Sequence, residues 1–542
     1  MSIHLPFHPA QPYYGAWLML SNFDSLPFAA GASGTALYRQ IADWIEHNIH
    51  AGKWRGGARL PTVRAMAEHL SMNRGAVASA YALLTRKGVL TARVGRGTYV
   101  AAAATETAPT QPAVEPARQF WDPLLVKTAN RLGLQLHVRH SAGSDAIWIP
   151  DRGEAAEGQS HIPLDMPLAD HSQTVEPIRH AIRMVASQMD KRVLSYNHPQ
   201  GTYELRDSIT HLASRRHIQI NPEDVMIVNG AQDALSLIVH LLVQPDDVVV
   251  TENPSYPGAV RAFRMAKANV VGIPVDQNGM RTDLLEEILK SHKPSLIYTI
   301  PSFQAPTGAT QSRERRAELY ALAAKYRVPI VEDEYVNDLY YGAPPPAALK
   351  SMDDQQLVIY VGTFSKTLGA GMRLGWIAAP SGVIMQLAQI KEARDIHSSI
   401  FAQLIVDHLL RGGLYEGMLA QLRDHYRVRY DRMRGAVTER LGLSPIRYRY
   451  SGGFSLWTEL PPGISAVDWL VYARVRGAPF ERGAGYFLSS EQNDHFVKFC
   501  FSLLTPKEID TAIDILADSL KELLGYRSGI HQDGGGHFLP FS

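Results

Sequence analysis

From Ala36 to about Val100 the apolar positions follow three helical periods and then two short β-like stretches around Gly95-Arg96-Gly97. Val63, Met66, Ala67 and Leu70 fall on one face of a helix opened by Pro61-Thr62, and Val77, Ala80, Tyr81 and Leu84 on one face of another beginning near Asn73, because residues three and four apart share a helix face. Only Ser71 and Met72 separate the two. The pattern predicts a small complete domain over residues 35–100, in which two tightly joined helices are followed by a hairpin.

Further along, apolar periodicity stops. Residues 1–34 mix Pro, His, Phe, Tyr and Gly without a period and read as an irregular arm, and AAAATETAPTQPAVEP opens a linker over residues 101–150, its Pro, Ala and Thr favouring an extended, semi-rigid chain. A short helical stretch near Asp122 to Leu134 falls within it. Past it, β-branched runs recur between helical segments: DVMIV at 224–228, DVVV at 247–250, SLIYTI at 295–300, VPIV at 328–331 and LVIYV at 357–361. Such alternation predicts an α/β unit with a mostly parallel sheet covered by helices, whose ligands gather at the C-terminal ends of the strands. This unit is expected over residues 151–526, with a smaller α+β lobe from about 421 to 526 and a final helix ending near Tyr526. The tail 527–542, with two histidines around three glycines, reads as a flexible end, and no metal is assigned to it.

Net charge adds little over the whole chain, where 54 Lys and Arg stand against 53 Asp and Glu, but its distribution does. Between Thr35 and Val100 ten basic residues face three acidic ones, so a basic module is joined to a mildly acidic body. Cys500 is the only cysteine, which excludes an intrachain disulfide and cysteine-based zinc or iron-sulfur sites. The first Lys or Arg is Arg39 and no apolar run reaches the roughly 20 residues of a membrane span, so the chain is expected in the cytoplasm, with no membrane partner.

A tight helix pair followed by a basic hairpin has the geometry that lays a second helix in the major groove of double-stranded DNA, with the hairpin as a wing. On that second helix Asn73, Arg74, Gly75, Ala76 and Ser79 are the small or polar positions at the leading end; Arg64, Arg93 and Arg96 are placed to meet phosphates. The segments LYRQIADWI, GARLPTVRAMA, NRGAVASAYALL and GRGTYV resemble the GntR-type winged helix-turn-helix. Gly75 departs from the hydroxylated residue common there, which leaves only backbone contacts at that position.

Four segments of the large unit carry chemistry. In VGTFSKTLGAGMRLGW a strand ends in Thr363, Ser365 and Lys366, with Arg373 seven residues beyond the lysine; hydroxyls and an arginine hold a phosphate, and a lysine in a dry cleft forms a Schiff base with an aldehyde. VEDEYVNDLYY supplies Asp333 and Tyr335, VNGAQDALSLIVHLL places Gly230, Ala231 and Gln232 at a helix N-terminus, and TENPSYPGA supplies Tyr256. With SYNHPQGTYELRDSI and TIPSFQAPTG these segments resemble the fold-type I aminotransferases, which use pyridoxal 5'-phosphate. The resemblance implies that Lys366 forms the aldimine, Asp333 pairs with the ring nitrogen, Tyr335 with the ring hydroxyl and Tyr256 with the ring face, while Gly230, Ala231, Gln232, Thr363, Ser365 and Arg373 hold the phosphate. It departs at Ala305, where an asparagine is usual, and at Lys498, where an arginine usually grips the substrate carboxylate.

A winged helix-turn-helix joined to an aminotransferase-like unit resembles the MocR family of transcriptional regulators. That resemblance implies a homodimeric regulator binding promoter half-sites and sensing a small amino compound, or pyridoxal phosphate itself, with Lys498 at the ligand end and at most weak or half transamination. The rival expectation is a working aminotransferase, converting an amino acid to a 2-oxo acid, with an accessory N-terminal domain.

Overall fold

A computed structural model of the chain describes residues 37–50, 54, 56–69, 74–93, 97–101, 162–170, 172–445, 451–489 and 493–531. The chain divides into two compact units, residues 1–125 and 126–542. The N-terminal arm, the helix expected near Asp122 to Leu134, nearly all of the linker, Asn73, Arg96 and the last residues of the tail lie outside the described residues.

The first unit is three helices and a hairpin: α1 (Leu37–His50), α2 (Val63–His69), α3 (Arg74–Arg86), β1 (Leu90–Arg93) and β2 (Gly97–Val100). One apolar cluster holds them, with Ile41, Ile45, Met66, Val77, Tyr81, Leu84 and Leu90 at its centre. Thr62 starts α2 by accepting the Ala65 amide on its hydroxyl at 3.2 Å, and the Tyr81 hydroxyl donates to the Pro61 carbonyl at 3.0 Å, which fixes the α2 entry against α3. β1 and β2 pair antiparallel, Leu90 opposite Val100 and Arg93 opposite Gly97. The segment at Ala58 to Leu60 adds a third run to the wing, as Leu60 N bonds Thr98 O and Val100 N bonds Ala58 O, both at 2.9 Å. Gly97, at φ +112°, leaves room for the Arg59 guanidinium, which a Cβ would meet at 2.9 Å.

The second unit opens with α4 (Val175–Ser187) and α5 (Tyr203–Ser214) and continues β3 (Val225–Val228), α6 (Ala231–Leu242), β4 (Val248–Asn253), α7 (Pro257–Met265), β5 (Asn269–Asp276), β6 (Gly279–Met280), α8 (Thr282–His292), β7 (Leu296–Thr299), α9 (Arg313–Tyr326), β8 (Ile330–Glu334), β9 (Val358–Thr363) and β10 (Gly375–Ala378). These strands make an eight-stranded sheet in the order β3-β10-β9-β8-β7-β4-β5-β6. The centre is parallel, as the β-branched runs predicted; β10 is antiparallel to both β3 and β9, and β6 turns back on β5. Strand alternation divides the interior: Val331, Ile359 and Val361 enter one core, Ile330 and Val358 another, and Tyr360 a third that reaches into the small lobe.

Helices α10 (Ser381–Asp395), α11 (Ile400–Arg411) and α12 (Leu414–Leu441) lead to the small lobe, where β11 (Ser455–Glu459), α13 (Ala466–Val475), β12 (Glu481–Arg482), β13 (Phe496–Cys500) and α14 (Pro506–His531) follow. Its three strands lie in the order β11-β13-β12, and α14 continues to His531, past the expected end near Tyr526. Among the described residues no helix is long and apolar enough to cross a membrane.

Arg316 on α9 is fully buried and faces Glu334 at 3.5 Å and Glu332 at 3.9 Å, both on β8. Its guanidinium also donates to the Pro301 carbonyl at 3.0 Å and the Ser302 hydroxyl at 2.9 Å. Removing it leaves two dehydrated carboxylates side by side. Arg316→Leu is therefore expected to destabilise the large unit by about 3–5 kcal/mol, read as a lower urea midpoint of unfolding.

Candidate functional site

A cavity of about 270 Å³ lies at the C-terminal ends of the parallel strands, where an open α/β sheet collects its ligands. Ala231, Gln232, Tyr256, Asp333, Tyr335, Thr363, Ser365, Lys366, Arg373 and Lys498 all line it. Gly230 sits behind the lining, at φ +87°, and a Cβ there would come within 3.2 Å of Arg373 Nη2. Glycine thus lets the chain turn from β3 into α6 and lets the guanidinium approach the helix start. Arg373 is held by the Asn229 carbonyl at 2.6 Å. The first intrahelical bonds of α6 come from Asp233 and Ala234 to the Gly230 carbonyl, so the amides of Ala231 and Gln232 precede them and point with the helix dipole at whatever anion arrives. Thr363 and Ser365 share a hydroxyl contact of 3.0 Å beside them.

The other side of the cavity is built on β8. Asp333 is buried, and its Oδ2 accepts from the Tyr298 hydroxyl at 2.8 Å. Its Oδ1 is buried without a hydrogen-bond partner. Burial pushes the Asp333 carboxyl up to about 7; the Tyr298 bond works against this and the nearby Glu334 charge adds to it. The Tyr335 hydroxyl donates to the Phe303 carbonyl at 3.2 Å, and Tyr256 reaches Gln232 Oε1 at 3.3 Å. Lys366 Nζ donates to the Pro167 carbonyl at 2.8 Å. Burial, helped by the positive charge of Lys498, brings its ammonium down to about 8, so an appreciable fraction is neutral amine near neutral pH.

Residue 305 is an alanine lining the cavity, and the preceding glutamine does not take over a ring contact. Gln304 is spent on the framework, donating to Pro254 O at 2.7 Å and Glu252 Oε2 at 3.2 Å and accepting from the Thr307 hydroxyl at 2.6 Å. Pro167, Tyr298, Phe454 and Tyr486 also shape the site; sequence reasoning missed them because each comes from an element remote from the motif it supports.

In the first unit, Arg64, Arg74, Gly75 and Ser79 are exposed and Ala76 is half-buried. Arg74, Ala78, Ala82 and Arg86, four residues apart, form one exposed stripe along α3, opposite the buried Val77, Ala80, Tyr81 and Leu84. Ala78, Ala82 and Arg86 extend the face proposed from sequence. Arg93 ends β1, and its side chain lies outside the described residues.

Two family models match the chain: bacterial regulatory proteins of the gntR family over residues 37–100 and aminotransferase class I and II over residues 165–516. The chain is 30% identical to the uncharacterised HTH-type transcriptional regulator YisV of Bacillus subtilis, covering 91% of this chain and 97% of that one. It is 29% identical to the HTH-type transcriptional regulator TauR of Rhodobacter capsulatus, covering 92% and 99%. Over the large unit it is similar to the crystal structure of Pyrococcus horikoshii kynurenine aminotransferase in complex with PMP, at 31% identity and a TM-score of 0.64, covering 68% of this chain and 92% of that one. Fold and site together define a fold-type I aminotransferase-like protein carrying a winged helix-turn-helix. The chain belongs to the GntR-type regulators with an aminotransferase class I and II domain, the MocR family.

The cofactor of this fold is pyridoxal phosphate, and the residues present fit it. Asp333 Oδ1 is an unsatisfied acceptor suited to a protonated ring nitrogen, and the Gly230 turn with Arg373 leaves a cradle for a phosphate. When bound, the group supplies an aldehyde carbon to which amines add. Two measurements check this site. Loading of cofactor onto the apo-protein should quicken as pH rises through about 7 and about 8 and level off only above the Lys366 value, because Lys366 must be neutral to react and Asp333 must be ionised to pair; both conditions fail at acidic pH. Tyr298→Phe should weaken cofactor retention about tenfold in equilibrium dialysis, the worth of one hydrogen bond to a charged group.

Proposed function

We propose that this protein is a cytoplasmic, pyridoxal phosphate-dependent transcriptional regulator. In this reading α3 enters the major groove of double-stranded DNA and the cavity around Lys366 senses an amino compound or pyridoxal phosphate itself. One observation carries it: a cavity with an amine, an unpartnered carboxylate oxygen and an anion cradle stands on the same chain as a helix that presents Arg74, Gly75 and Ser79 to solvent. Arg74 and Ser79 would read base edges or phosphates; Arg64, Arg86 and the wing would add sequence-independent affinity.

The positions of the chain's own residues support a set of roles in this reading. Lys366 would hold the cofactor and yield to an incoming amine, Asp333 would keep a proton on the ring nitrogen, Tyr335 would pair with the ring hydroxyl, Tyr256 would cover the ring, and Gly230, Ala231, Gln232, Thr363, Ser365 and Arg373 would anchor the phosphate. Ligand occupancy alters DNA binding only to the extent that the two conformations bind the ligand unequally. We also propose a homodimer. Leu194 and Tyr196 are 82% and 83% exposed, and Tyr196 meets the His397 ring edge-on beside the exposed Ile396; large apolar side chains left in water in this way mark a contact surface. A dimer presents two basic modules and so two half-sites.

The relatives include the aromatic-amino-acid aminotransferase 1 of Thermococcus litoralis, 33% identical over 64% of this chain and 85% of that one, which keeps a catalytic reading open to test. Binding to the DNA upstream of its own gene, measured with and without pyridoxal phosphate at two salt concentrations, separates the readings. Specific binding that weakens steeply with salt and changes with cofactor is expected. Arg74→Ala should abolish specific binding with the cofactor still in place, and Lys366→Ala should abolish cofactor retention with the DNA-binding unit still folded. Rapid turnover of an amino acid with a 2-oxo acid, without specific DNA binding, would sink the regulatory reading.

A further inference from the structure

The small sheet contributes one charged wall to the cavity. β12 and β13 run antiparallel with Glu481 directly opposite Lys498, and cross-strand side chains so placed meet. Lys498 Nζ donates to Glu481 Oε2 at 2.7 Å and to the Tyr486 hydroxyl at 2.6 Å, and that hydroxyl donates to Glu481 Oε1 at 2.7 Å. The three groups form a closed ring. One positive and one negative charge cancel within it, and both carboxylate oxygens are engaged. Burial by itself would depress the Lys498 ammonium, but Tyr486, Cys500 and Glu481 outweigh it and hold the group well above its usual value.

The remaining cations on the cavity lining are Lys366 and Arg373, both engaged by the cofactor in the reading above. Among the described residues the cavity has no further lining cation, and the rest of its wall near β11 and β7 is apolar or hydroxylic: Phe454, Ser455, Ile300, Ala305 and Pro306. A carboxylate brought here would lose its water next to a lysine whose charge is already neutralised, which leaves the dehydration cost largely uncompensated. An uncharged group incurs no such penalty. The Lys498 ammonium has three N–H bonds, of which two are used, so it can still donate to a ligand hydroxyl.

Resting on the reading of this cavity as the effector site, we propose that the ligand it takes is a primary amine without a carboxylate, bearing an apolar or hydroxylated body, rather than an amino acid. The amino group lies beside Lys366, and the body lies against Phe454 and Ile300.

The test uses the full-length protein loaded with pyridoxal phosphate and titrates it with pairs that differ only in the carboxylate: tyramine and tyrosine, isopentylamine and leucine, ethanolamine and serine. Binding is read from the absorbance of the bound cofactor, without turnover. The amine of each pair is expected to saturate at a concentration about tenfold lower or less, a difference of about 1.4 kcal/mol. Glu481→Gln, which frees the Lys498 charge, should improve amino-acid binding about tenfold and remove the preference. Equal or tighter binding of the amino acids to the native protein overturns the proposal, and so does a Glu481→Gln protein with the native preference. No response to any of the compounds also overturns it, leaving the cofactor itself as the effector. Cofactor-dependent DNA binding measured without amines reports separately on the regulatory reading, so the two failures are distinguishable.

Discussion

Three consecutive acids on one buried strand organise the large unit. All five residues of β8 are buried, and its last three are Glu332, Asp333 and Glu334. Strand alternation sends the two glutamates to one face and the aspartate to the other. On the glutamate face the fold answers with Arg316, with the Leu349 and Lys350 amides on Glu332 at 2.6 and 2.8 Å, and with the Ser302 hydroxyl on Glu334 at 2.8 Å. On the aspartate face it supplies only Tyr298. Burial raises all three carboxyls; Asp333 Oδ1 and Glu334 Oε2 are both left without a hydrogen-bond partner, but of the three acids Asp333 alone lines the cavity. Dehydrating a carboxylate without satisfying it is costly, and the natural compensation is a cation that arrives with the ligand. Pyridoxal phosphate with a protonated ring nitrogen is such a cation at the point of contact.

That constraint explains why so much of the site lies in the framework. β8 holds its register between β7 and β9, so Asp333 cannot retreat from the cavity without unseating Glu332 and Glu334 from Arg316. Glu252 on β4 repeats the device two strands away: it is fully buried and satisfied by Thr299, the Ile300 amide and Gln304. Gln304 is consumed there, which leaves Ala305 lining the cavity without a polar group.

How much of this the sequence disclosed depends on distance along the chain. The phosphate cradle, the lysine and the acid are each written in a local run in which a strand end meets small residues, so the motifs located them, and the structure gathers them in one cavity. The helix pair of the first unit was equally legible, since a period of three and four residues fixes which face of α3 is buried. Pro167 and Tyr298 escaped because their role exists only after the chain has closed on Lys366 and Asp333, 199 and 35 residues away. β10 escaped because GWIA is four residues, too short for a period, and its antiparallel insertion between β3 and β9 depends on the whole sheet. Lys498 shows the limit most clearly. Its type and position in FVKFCFS announce a cation, yet what that cation can do is set by Glu481 across the strand pair.

The neutralised lysine also bears on what the two halves of the chain ask of the cavity. A transaminase must hold an amino acid and a 2-oxo acid in turn, so a weak carboxylate site penalises both of its half-reactions. A sensor has no such requirement: it needs a ligand whose affinity differs between two conformations, and turnover would only erode the signal by consuming the ligand. On the regulatory reading, the Glu481–Lys498–Tyr486 ring is therefore a filter that excludes the abundant amino acids from a cofactor that would otherwise react with any of them. The cofactor supplies general reactivity toward amines, and the wall of the small lobe decides which amines arrive.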